Sequence, residues 1–315
     1  MTSRETSLIS LSALKRRIYG MPYLLLTTTT LVWAGNTVVA RGVVHLLPPV
    51  TLAFWRWLVA AILLLPFAWP HIRKDWPVIR TSWPPLIGIS LAGVTCYNTF
   101  LYVGVQTTTA VNSGLILAAG PAVIVVLSRI ILKHRIQRIQ LAGLLLSFLG
   151  AALIIANGRL ETVTRLVFVE GDLWVTGSVF AGAMFSVLLN FRPKIHPMSL
   201  VLTTFLIGLL FLLPLYLWEA VNSAPVAVNA EVVSSIAYVA IAPSIIAFFC
   251  WNRGIELVGP NRAGLFLFLT PLFVSIMAYV FLGEVLYWFH FAGMFLIFGG
   301  IFLFNRIRVA ESLNE

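Results

Sequence analysis

Apolar residues along this chain come in blocks of about twenty, the length that carries a helix across roughly 30 Å of hydrocarbon. They do not alternate with a period of two, as the strands of a membrane barrel would. Eight blocks are plain: residues 18–40, 46–69, 139–158, 173–191, 195–218, 232–252, 263–283 and 285–305. Between Arg80 and Arg129 lie 48 residues without a charge, too many for one crossing. The polar patch Gln106-Thr107-Thr108-Thr109 divides that run, and a threonine there suits the N-cap of a second helix. The pattern therefore predicts ten membrane helices. The first block follows Lys15-Arg16-Arg17, yet it has full crossing length and no clear cleavage pattern after it, so it reads as a retained helix.

A second pattern lies over the first. Residues 114–121 read GLILAAGP, and 150 positions later residues 264–271 read GLFLFLTP. At the same offset Gly104 matches Gly254, Gly143 matches Gly293 and Gly150 matches Gly300. At offsets of 147 and 148, Ala34-Gly35 matches Ala181-Gly182 and Pro66 matches Pro214. Leucine matches carry little weight in so apolar a chain, whereas glycine and proline matches at a near-constant offset are hard to obtain by chance. Each half, residues 18–156 and 171–306, holds five predicted helices, with a polar linker on the outside over residues 157–172. Five is odd, so the second half enters the membrane from the opposite side. The expected fold is all-α, ten transmembrane helices arranged as two inverted five-helix repeats.

Composition agrees with a membrane protein. Of 315 residues, 60% are hydrophobic and 10% charged, where a soluble domain carries about a quarter charged residues. A net charge of +10 would suit a nucleic-acid partner only if the basic residues shared one face; they are scattered through short loops, which argues against that partner. The scatter has a direction. With the amino terminus inside, seventeen Lys and Arg fall on inside segments, Arg41, Arg159 and Arg165 fall outside, and Arg56 lies within a span. That bias places both termini in the cytoplasm, with the lipid bilayer of the cell inner membrane as the surrounding partner. Cys96 and Cys250 sit inside apolar runs and offer neither a disulfide framework nor metal spacing.

Ordered along the chain are Trp33-Ala34-Gly35-Asn36 in the first helix, Arg56 in the second, the Gly114…Pro121 frame in the fourth and Leu282-Gly283-Glu284 before the last. Together with the repeat, these features resemble the drug/metabolite transporter superfamily, and specifically its EamA-type permeases, over nearly the whole chain. The resemblance implies a carrier of small organic solutes. One departure is visible: members often carry Gly-Glu after both the fourth and ninth helices, and here the first copy is Lys133-His134. A role that needs two such glutamates does not carry over.

Polar groups inside a span face protein or a water-filled cavity, because lipid cannot satisfy them. On the first helix Thr29, Trp33, Asn36 and Ala40 share a face; on the third, Thr95, Asn98 and Tyr102 do. The sixth helix offers Trp174, Ser178 and Phe185, and the eighth offers Ser244, Phe248 and Trp251. Such stripes suit a cavity that stacks on an organic solute and bonds its polar ends; the competing reading is hydrogen-bonded helix packing. Trp33, Asn36, Thr95, Asn98, Tyr102, Ser178, Ser244 and Trp251 are the candidate substrate-binding residues. Arg56 is an anion anchor, since guanidinium grips carboxylate and phosphate bidentately, or a structural arginine, as the recurrence of similar arginines across the family implies. Gly93 and Pro243 fall at matching places in helices three and eight and are candidate hinges. Glu284 reads as a turn cap or ion-pair partner, and His134 and His290 as loop or interfacial residues.

The expected function is export of small metabolites, amino acids or related amphipathic solutes, by alternating access between the repeats. Efflux of lipophilic drugs and a membrane-embedded subunit that transports nothing are the alternatives. An enzyme would need paired buried carboxylates or a histidine-rich face, and neither pattern occurs; no cofactor or metal is implied, and a monomer is expected. No acid lies centrally in a span, which points to a neutral or zwitterionic solute and to transport without a central proton-carrying carboxylate.

Overall fold

The computed structural model describes residues 17–43, 47–223, 229–282 and 285–311. Those residues form helices and no strand. The first half holds α1 (Pro22–Val43), α2 (Pro49–Thr81), α3 (Trp83–Ser90), α4 (Tyr97–Gly104), α5 (Ala110–Ala118), α6 (Gly120–Ile131) and α7 (Arg138–Ile155). A short α8 (Leu160–Thr164) leads to α9 (Glu170–Leu188), α10 (Pro197–Asn222), α11 (Ala230–Val239), α12 (Ala247–Leu265), α13 (Leu269–Leu282) and α14 (Trp288–Glu311). Eight stretches of helix are long and apolar enough to cross a membrane among the described residues. Large apolar side chains such as Phe67, Trp218, Phe295 and Phe302 stand exposed, as surfaces solvated by lipid require.

Local chemistry sets the boundaries. Pro49 opens α2, where its missing N–H costs nothing. Three further prolines, Pro66, Pro70 and Pro77, lie inside that helix, which is tolerable where neighbouring helices re-satisfy the freed carbonyls. Thr109 caps α5, its Oγ1 accepting from the Asn112 amide at 3.1 Å, so the polar patch divides the long uncharged run as its sequence predicts. The glycine-proline frame does more than pack. Helix α5 stops at Ala118 and α6 restarts with Pro121 in its first turn; 150 positions later α12 stops at Leu265, a 3₁₀ turn covers Phe266–Phe268, and α13 restarts.

Two contacts join matching positions of the halves. Helices α7 and α14 meet through glycines: a Cβ on Gly143 would lie 2.6 Å from the Gly300 carbonyl, and one on Gly150 would lie 2.6 Å from the Gly293 carbonyl. Midway, Ser147 Oγ donates to the Ile297 carbonyl at 3.2 Å. Each pair reads in both directions at the offset of 150. On α2 and α10, the Trp57 ring lies tilted 4.7 Å from that of Phe205, its counterpart at offset 148.

Candidate functional site

Arg56 lies about two turns inside α2 and is 2% exposed. Its Nε donates to Ser244 Oγ at 2.6 Å, and its Nη1 donates to Asn98 Oδ1 at 2.9 Å and to the Tyr102 hydroxyl at 2.7 Å. The guanidinium carbon stands 4.7 Å from the Trp57 ring centre. Every one of these partners is neutral. Among the described residues the ion pairs are Arg165–Glu161, Arg192–Glu256 and Arg253–Glu256, so none of them balances this charge. A charge inside a span is expensive unless protein groups face it. Neutral acceptors lower that cost without cancelling the charge.

The partners come from two loosened helices. Between α3 and α4 the backbone widens to a π-helical turn over Leu91–Cys96, and between α11 and α12 it does so over Ala240–Ile246. Gly93 and Pro243 sit inside these turns. Each turn frees carbonyls, and nearby side chains take them: Asn98 Nδ2 donates to the Gly93 carbonyl at 3.4 Å, and Ser244 Oγ to that of Val239 at 2.7 Å. Arg56 thus ties the two turns together through one guanidinium. The predicted hinge positions coincide with departures from α-helical winding, the feature that π-turns contribute at functional sites.

Helix α1 lines the second turn. Thr29 Oγ1 reaches the Ala247 carbonyl at 3.4 Å, and Trp33 Nε1 donates to the Pro243 carbonyl at 3.2 Å. The Trp33 and Trp251 rings lie 5.1 Å apart. An aromatic group adjoins this pair: Trp57 meets Phe205 and Phe248, and Phe248 meets Phe185. Four polar atoms of this region are buried with no partner: Asn36 Oδ1, Trp57 Nε1, Thr99 Oγ1 and Trp251 Nε1. Unpaired polar groups in a dry interior cost on the order of 1–3 kcal/mol each; five further such atoms lie on Ser128, Ser199, Asn252, Asn261 and Asn305.

The structure brings Trp33, Arg56, Asn98, Tyr102, Ser244 and Trp251 into one cluster. Asn36 lies one turn along α1 from Trp33. Two other candidates, Thr95 and Ser178, and Trp174 of the same stripes have partners elsewhere. Thr95 donates to the Gly208 carbonyl at 3.2 Å and ties the first π-turn to α10. Ser178 bonds the Val175 carbonyl of its own helix, and Trp174 sits near the start of α9 against Phe100. Trp57 and Phe205 were not among the stripes, yet a signal existed, because they follow Arg56 and its repeat partner Thr204. Gly283 and Glu284 lie outside the described residues.

Two buried carboxylates close the end where α2 begins and α4 stops. Glu219 of α10 accepts from the Val50 amide at 3.1 Å, the Thr51 amide at 2.6 Å and the Thr51 hydroxyl at 2.8 Å, capping α2 from the other half. Asp172 accepts from Thr108 Oγ1, from Asn112 Nδ2 at 2.9 Å and from the Val169 amide at 2.9 Å. Beside it, a Cβ on Gly104 would stand 2.8 Å from the Gly171 carbonyl. At the opposite end, Arg192 and Arg253 share Glu256, and His71 stacks on His196 at 3.6 Å. Both carboxylates are helix caps near span ends, in keeping with the absence of a central acid in the sequence.

Three likenesses bear on this arrangement. A transporter of Archaeoglobus fulgidus, uncharacterized by name, is 30% identical over 89% of this chain and 96% of its own length. A probable amino-acid metabolite efflux pump of Salmonella typhimurium is 26% identical over 86% of this chain and 90% of its own. A crystal structure with 19% sequence identity superimposes with a TM-score of 0.72, covering 93% of this chain and 99% of the other, and shares the fold. The EamA-like transporter family matches twice, at residues 20–156 and 170–306. The two matches together span most of the chain, and the chain belongs to the EamA-like transporter family.

Proposed function

We propose that this protein exports small amphipathic metabolites, amino acids or close relatives, across the cell inner membrane by alternating access. The observation that carries the reading is the cluster around Arg56, which draws Arg56, Asn98 and Tyr102 from one half and Ser244 from the other. A site built from both halves is the kind that alternating access exposes to each side in turn. The name of the Salmonella relative supports the solute class and the direction. Ten crossings in two inverted repeats fit the paired contacts: Gly143 on Gly300, Gly150 on Gly293 and Trp57 on Phe205 are what a two-fold axis in the membrane plane produces. The basic residues put both termini in the cytoplasm, which places Asp172 and Glu219 at the outer end. One chain suffices for the site.

The test is counterflow of labelled amino acids into proteoliposomes holding the purified protein, with and without a pH gradient. Exchange of a defined subset is expected, with a rate that the gradient leaves within about two-fold, since no central carboxylate carries a proton. Strong acceleration by the gradient would sink the uncoupled form of the reading. Absence of exchange for every solute would favour a subunit that transports nothing.

A further inference from the structure

Resting on the transport reading above, we propose that the solute carries a carboxylate, or a similarly planar oxyanion, and that Arg56 is the residue that binds it. Arg56 is 2% exposed and faces neutral partners alone among the described residues. A guanidinium has five N–H donors. Three are committed through Nε and Nη1, which leaves the Nη2 edge without a described partner. A carboxylate supplies what the cluster lacks: a negative charge and two acceptor oxygens in one plane. A helix tie built for strength alone would be served by a buried acid opposite the arginine, and at offset 148 the other half offers Thr204 instead. Among the described residues no acid pairs with this charge, and a bound carboxylate would balance it.

The surroundings extend the reading to the rest of the solute. Trp57 and Trp251 hold their indole N–H groups buried and unbonded, and Asn36 holds out an unbonded carbonyl oxygen. The donors suit further oxygens of an acid, and the acceptor suits an amine. Trp33 is the ring of this aromatic cluster that is only partly buried, and it offers flat apolar surface to a side chain. An amino acid or a simple carboxylic acid with an apolar body fits this set. A carboxylate arriving at the guanidinium competes with Asn98 and Ser244, which belong to the two loosened helices, so loading is felt at both turns.

The experiment uses full-length protein in nanodiscs and proteoliposomes. The probes are phenylalanine, 3-phenylpropionate and phenylalaninamide, with leucine, 4-methylpentanoate and leucinamide as a second series. Thermal shift reads binding and counterflow reads transport. The carboxylates are expected to act at concentrations about ten-fold or more below the amides, the discrimination that a charge-assisted bidentate contact gives. Arg56→Gln should bring that ratio close to one, and Arg56→Lys should keep part of it. If Arg56→Gln does not fold, the wild-type ratio and that of Arg56→Lys decide. Amides accepted as readily as acids by the wild type overturn the proposal and leave the transport reading standing. An Arg56→Gln protein that is slower with every probe and keeps the ratio marks the arginine as a helix tie, with the same consequence. Six probes without shift or exchange overturn both readings.

Discussion

The π-turns at Leu91–Cys96 and Ala240–Ile246 occupy matching places in the two halves, and they are made by different residues. The first has Gly93 at its centre, pressed so closely by Phe185 that a Cβ there would stand 2.5 Å from the ring. The second has Pro243, whose missing N–H removes a rung from the ladder. At the first turn a neighbour leaves no room for a side chain, and at the second the residue's own covalent chemistry removes an N–H. The repeat has preserved a backbone shape and let the side chains diverge. Around the shared shape the polar duties have diverged too: Asn98 stands beside the first turn and Ser244 within the second, and only through Arg56 do they meet.

The contrast can be broken at several strengths. Leucine placed at each centre gives the largest difference. Gly93→Leu drives a side chain into Phe185 and should cost about 3 kcal/mol, the upper range of overpacking, read as a fall of several degrees in melting temperature in detergent. Pro243→Leu should cost far less, and adding Phe185→Ala to Gly93→Leu should recover part of the loss. Next comes Asn98→Ala, which leaves Nη1 of Arg56 with Tyr102 and the Gly93 carbonyl without its donor; about 1.5–3 kcal/mol is expected for a bond to a charged group. Ser244→Ala should cost about 1.5 kcal/mol by the same reasoning. The two should not add, since both act on one guanidinium, and a coupling of about 0.5 kcal/mol or more in a double-mutant cycle would show it. Strict additivity would mean that the turns are independent. The smallest effect on stability belongs to Pro243→Ala, under about 1 kcal/mol for a surrounding backbone already satisfied by Ser244 and Trp33. Its effect is expected in turnover instead, several-fold in counterflow, because a restored N–H lets the turn relax toward α-helix and carries Ser244 away from Arg56. Unchanged turnover would remove the hinge role from this position.

Much of this was legible from residue order. Glycine and proline report backbone needs directly, so the frames at Gly114 and Gly264 and the weak points at Gly93 and Pro243 could be placed without coordinates. Facing positions on one helix were legible as well, and Trp33, Asn98, Tyr102, Ser244 and Trp251, named on that ground, lie together with Arg56. What a stripe does not reveal is its partner. Thr95 shares a face with Asn98 in sequence, yet it lies within the widened turn and donates to the Gly208 carbonyl. Ser178 satisfies itself within its own helix, as serine in a membrane span often does. Trp57 was passed over because an aromatic in an apolar block has no polar mark; its pairing with Phe205 at the repeat offset was the available clue.

The glycine seam between α7 and α14 has an energetic consequence. Gly143 rests on Gly300 and Gly150 on Gly293, so the glycine contacts on the two sides are copies of each other, while Ser147 and Ile297 between them differ. Tilting one helix over its neighbour by some angle, or the neighbour by the same angle the opposite way, presses equivalent atoms together. On the alternating-access reading, such a seam would work like the beam of a balance, near-level by construction. What tips it must lie where the copies differ, and the sharpest such differences are Arg56 against Thr204 and Gly93 against Pro243.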